Sequence, residues 1–194
     1  MRRMRHPPTP VVLLLALLAG CTSQSAVKPV ELLDERTAVT VGALKEPIEL
    51  VPNAQQAVLL YRKRTSFAYL GPVEWNRSGT LSYGLWIHVA PGNGVQPGDI
   101  HEARAATLVL DDGPMVLSVI EAPKLGREPY REVASWGQTA YFDLTPATLQ
   151  RMAASRTLRL DVRAADGSLL TFVATVDTHV TLTRYLEARG ITGG

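Results

Sequence analysis

Across residues 80–90, apolar and polar-leaning side chains alternate without a break, and this period of two limits the fold more than any other stretch. In an extended chain, Leu81, Tyr83, Leu85, Ile87 and Val89 project to one side, and Ser82, Gly84, Trp86 and His88 to the other. A helix would scatter both sets around its circumference. The segment is therefore predicted to be a strand with its aliphatic side on a core. Runs of similar character cover 37–44, 48–51, 66–75, 104–110, 115–121, 138–144, 156–163 and 168–176, with the 66–75 run expected to break at Gly71-Pro72. Turn chemistry separates many of them: Asn76-Arg77-Ser78-Gly79, the Gly- and Pro-rich stretch 91–98, Asp111-Asp112-Gly113-Pro114 and Asp166-Gly167. About eight short strands joined in this way predict antiparallel pairing, as a β-sandwich or a curved sheet.

Helical signals are fewer. Thr145-Pro146 reads as an N-cap followed by proline in the first turn, opening a short helix that ends before Arg156 and turns Leu149, Met152 and Ala153 to the sheet. Residues 178–189 carry Leu182, Tyr185, Leu186 and Arg189 at helical spacing, with Gly190 as a natural stop. Residues 55–61 have helical propensity, and Arg62, Lys63 and Arg64 read as a solvated helix end or loop. Residues 124–136 read as a polar loop. The fold class expected is mainly β, with two short helices in the C-terminal half.

The N-terminus has a different grammar. Arg2, Arg3 and Arg5 precede an unbroken apolar run, 11–18, and then Ala19, Gly20 and Cys21. This order of basic, apolar and small residues is that of an export signal, and the run is far shorter than the ~20 residues that span a bilayer. Leu18-Ala19-Gly20-Cys21 resembles a bacterial lipobox. The resemblance implies cleavage before Cys21, a diacylglycerol on its sulfur and, with Thr22 rather than Asp behind it, the periplasmic face of the outer membrane. The division expected is a signal peptide at 1–20, a lipidated tether at 21–30 and one β-rich domain at 31–190.

Charge and cysteine content then exclude several classes. The 20 Lys and Arg lose three arginines with the signal, leaving 17 against 18 Asp and Glu, so no basic bias points to nucleic acid. Cys21 is the only cysteine; once lipidated, it leaves no thiol for a disulfide, a nucleophile or a metal.

Candidate chemistry is sparse. Asp99, His101 and Glu102 offer oxygen and imidazole ligands, but lack the His-Glu-x-x-His spacing of a zinc site. No Gly-x-Ser-x-Gly elbow is present, and Gly92, Gly94 and Gly98 lack the Lys-Ser/Thr ending of a phosphate loop. Asp111 and Asp112 are expected to serve the backbone of their own turn. Trp75, Trp86 and Trp136 are expected mainly in packing; if exposed, Trp86 and His88 would form a contact surface.

Residues 31–41, 69–79 and 83–86 together resemble a group of uncharacterised proteobacterial lipoproteins that combine a lipobox with one small β-rich periplasmic domain. The resemblance spans much of residues 31–90. It implies a class and an address, and no catalytic residues. The expectation is a lipid-anchored, non-enzymatic binding or assembly module without a cofactor, joined to the membrane through Cys21 and partnered by envelope proteins. The alternative is a periplasmic hydrolase or metal-dependent enzyme with a site around His101.

Overall fold

The computed structural model describes residues 29–53, 66–90, 92, 100 and 106–191. Among these, strands β1 (Pro29–Asp34), β2 (Val39–Leu44), β3 (Ile48–Pro52), β4 (Phe67–Arg77), β5 (Thr80–Ala90), β6 (Ala106–Leu110), β7 (Gly113–Val116), β8 (Val119–Ile120) and β9 (Gln138–Leu144) precede helix α1 (Pro146–Ala154). Strands β10 (Arg159–Arg163) and β11 (Leu169–Ala174) and helix α2 (Thr178–Ala188) follow. All strand pairs are antiparallel, in the order β7-β6-β10-β11-β3-β4-β5-β9-β8, with β2 also on β4 and β1 on β2. The sheet is a curled half-barrel, as the mainly β reading expected.

The turns follow from local chemistry. Ser78 and Gly79 join β4 to β5 with φ of 52° and 88°, the left-handed pair that two-residue hairpins require. Asn76 Oδ1 accepts the Gly79 N–H at 2.8 Å. The Thr145 side chain caps α1 by accepting the Thr148 N–H, and Pro146 occupies the first turn. Asp111 and Asp112 reach beyond their own hairpin: Asp111 accepts the N–H groups of Arg156 and Thr157, and Asp112 holds Arg151 through two bonds of 2.8 and 3.0 Å.

Two connections shape the sheet. The run 115–121, read from sequence as the return arm of a hairpin, divides between opposite edges. β7 pairs with β6 and β8 pairs with β9, with only Leu117 and Ser118 between them. Leu117 N–H bonds to Ala106 C=O, and Ser118 C=O accepts Asp143 N–H. Two residues span under ~10 Å, so the edges must curl close together. The enclosed face carries Leu50, Leu70, Leu85, Ile87, Leu108, Phe142, Leu160 and Phe172, each essentially inaccessible to solvent.

The second connection is a fork. β4 is continuous through Gly71-Pro72, where a break was expected, but its partner changes there: β3 pairs with Ala68–Leu70 and β2 with Val73–Arg77. A proline is tolerated at such a site because no strand is there to take its missing N–H. The Tyr130 hydroxyl fills the gap, donating to Pro72 C=O at 2.8 Å and accepting Leu44 N–H at 3.0 Å. Gly71 leaves room for the ring, since a Cβ there would lie 2.3 Å from Tyr130 Cζ.

On the enclosed face, α2 ends over the row Glu31, Gly42, Glu74 and Tyr83, which lie side by side on four strands. Arg189, capping α2, bonds Glu31 at 2.5 Å and the buried Glu74. Gly190 takes φ +66°, as expected of a helix stop.

Tyr130→Phe removes both bonds at the fork and strands a buried N–H and C=O. The expected loss is about 1–3 kcal/mol in urea unfolding. Gly71→Ala should lose more, because it displaces the whole ring. Equal stability of either variant and the parent would contradict the role assigned to the fork.

Candidate functional site

Beyond Tyr83, the β5 strand is buried on both faces. The condition for a contact surface there is not met: Trp86 and His88 have no exposed area. Residues 121–137, of which 124–136 were expected as a polar loop, run over the face opposite α2 and cover them. The anchor of this strap is Tyr130, whose ring lies 5.1 Å from Trp86; Trp86 in turn stacks on His88 at 5.8 Å. Trp75 sits 5.6 Å from Tyr141, and Gly84 makes room for it. Trp75 and Trp86 are thus core residues, as expected, while Trp136 is 67 % exposed. Leu81, assigned by alternation to the core, is 48 % exposed at the open end of β5.

His88 is tied to the strap by a directed chain. The Thr139 hydroxyl donates to Glu132 at 2.9 Å, so its oxygen is free to accept from His88 Nδ1, 2.8 Å away. That fixes the proton on Nδ1 and leaves Nε2 as a lone pair in the interior, without a partner among the described residues. Nε2 lies against Gly137, where a Cβ would approach to 2.5 Å. Burial lowers the His88 pKa below the usual imidazole value; the Glu132 carboxylate opposes this more weakly. Tyr141 donates to Glu128 of the strap, and burial followed by this bond pushes its phenol upward.

One end of the strap forms a cleft. Val39 and Trp75 line it from the sheet, Arg77, Thr80 and Ser82 from the β4–β5 hairpin, and residues 121–124 from the strap, around a volume of about 550 Å³. Two bonds from the β1–β2 turn hold the strap wall: Asp34 accepts Gly126 N–H at 2.6 Å, and Arg36 donates to Lys124 C=O at 3.2 Å. The Gly126 bond is the main reason Asp34 stays below the usual carboxylate range. Arg77 and Lys124 form no ion pair among the described residues. Trp75 is 2 % exposed, and its Nε1–H has no acceptor among them.

Cys21, Asp99, His101 and Glu102 lie outside the described residues, as does the segment 55–64. Among the described residues, no three His, Cys, Asp or Glu side chains come together as a metal site, and no helix is long and apolar enough to cross a membrane. Sequence reasoning missed Tyr130, Arg77 and Lys124. The available signal was the aromatic character of the second face of β5, which needs a cover. Comparison with protein-family models, with curated proteins and with solved structures returns no match.

His88 gives a pH dependence with a defined sign. Its native pKa is lowered, so below the unfolded value of ~6.5 the unfolded chain binds more protons and stability falls. The urea midpoint should decline from pH 7.5 to 5.5. His88→Gln should flatten that decline, whatever its midpoint. The lowered carboxylates Asp34 and Asp111 lose their contribution only below about pH 4, outside this window. An unchanged slope in the variant would contradict the assignment.

Proposed function

We propose that this chain is a lipid-anchored, non-enzymatic binding module on the periplasmic face of the outer membrane, acting on other envelope components. The address rests on the order of basic residues, apolar run and Leu18-Ala19-Gly20-Cys21, and on Thr22 behind the cysteine. β1 begins at Pro29, eight residues after Cys21. At ~3.3–3.6 Å per residue, such a tether holds the domain within about 30 Å of its lipid. Confinement of this kind raises the effective concentration near membrane-bound partners.

The observation that carries binding is the cleft beside Trp75. Its strap wall is hydrogen-bonded in place by Asp34 and Arg36, so it is formed before any ligand arrives. Its rim holds two cations, Arg77 and Lys124, that form no ion pair among the described residues. The buried polar groups elsewhere serve the fold: Tyr130 at the fork, Glu74 under Arg189, and His88 against Thr139.

The test of the address is Cys21→Ser expressed in a diderm bacterium. The parent should incorporate labelled fatty acid and sediment with outer membranes. The variant should incorporate none and move to the soluble periplasmic fraction. Unchanged labelling and sedimentation would refute the anchor.

A further inference from the structure

The cleft beside Trp75 also indicates what it would hold. Donor-bearing residues dominate its lining: Arg77, Lys124, Thr80 and Ser82. Against them, Glu121 supplies the one carboxylate among the lining residues, so charge there is net positive. Of the apolar lining, Val39 and Trp75 are almost wholly buried, so the half-buried Ala122 and Pro123 are what a ligand can touch. A volume of about 550 Å³ falls within the ~300–1,000 Å³ of small-molecule sites. The cations come from two elements that are far apart in sequence, the β4–β5 hairpin and the strap. They share one cleft only because Asp34 and Arg36 hold residues 124–126 against the β1–β2 turn.

We propose that this cleft binds a small organic anion: a carboxylate or phosphate group seated between Arg77 and Lys124, carrying an apolar body that rests on Ala122 and Pro123. Charge-assisted bonds to the guanidinium fix the head group. Ala122 and Pro123 supply the apolar contact for the body. The inference rests on reading the cleft as a binding site and does not depend on the lipid anchor.

The test is isothermal titration of the full chain, purified from whichever cell fraction holds it, with matched buffer and detergent. The probes are phenyl phosphate, phenylacetate, neutral phenylacetamide and inorganic phosphate. At least one aromatic anion should bind, and phenylacetamide and inorganic phosphate should each bind about tenfold more weakly or not at all. Preference between the two aromatic anions assigns the head group. Arg77→Gln and Lys124→Gln, both exposed positions, should each weaken binding about tenfold with an unchanged unfolding midpoint. The proposal fails if neither aromatic anion binds at 10 mM, if the neutral amide binds equally well, or if the double variant Arg77→Gln/Lys124→Gln binds like the parent. Anion binding together with unchanged fractionation of Cys21→Ser would sink the address and leave the cleft standing. The converse pair of results would do the reverse.

Discussion

One hydroxyl group joins the two halves of this fold. At Gly71-Pro72 the edge of β4 passes from one partner strand to another, and Tyr130 closes the resulting gap from above. Each feature requires the others. Proline removes a donor that would have no acceptor, glycine removes a Cβ that would strike the ring, and the tyrosine supplies the missing donor and acceptor. Burial keeps the phenol protonated by pushing its pKa well above the ordinary value, so it remains a donor. The same ring packs on Trp86, which links the fork to the aromatic layer over β5.

The fork and the curl together set where a ligand can go. Curling brings the edges of the sheet within reach of a single run, 113–120, and fills the enclosed face with aliphatic and aromatic side chains. That side offers packing. The opposite face is sealed over Trp86 and His88 by the strap, which departs from the end of β8 at residues 121–124. The cleft opens at that departure point, and its geometry is inherited from strand ends and one pinned segment.

Local signals made much of the architecture legible. Alternation marked β5, Asp166-Gly167 marked the β10–β11 turn, and Thr145-Pro146 and Gly190 marked helix ends, because each acts through neighbouring backbone. The site was not legible for the complementary reason. Tyr130 meets Pro72 and Leu44 at separations of 58 and 86 residues, and the polar residues around it gave no sign of burial. Alternation reports that two faces differ; it does not report whether both are covered, so Trp86 and His88 read as an outer face. Leu81 misled in the opposite sense, since the strand outruns the core that its pattern addresses. The division of residues 113–120 between opposite edges also lay beyond periodicity, which carries no information on partners.

Hydrogen exchange at the Leu44 amide reports whether the strap is seated on the fork, because only then does that N–H reach its acceptor. Leu44 should exchange with the slowest amides of β4 and β5, through global unfolding. Exchange of Leu44 at the rate of exposed loop amides, with β4 and β5 still protected, would contradict that seating.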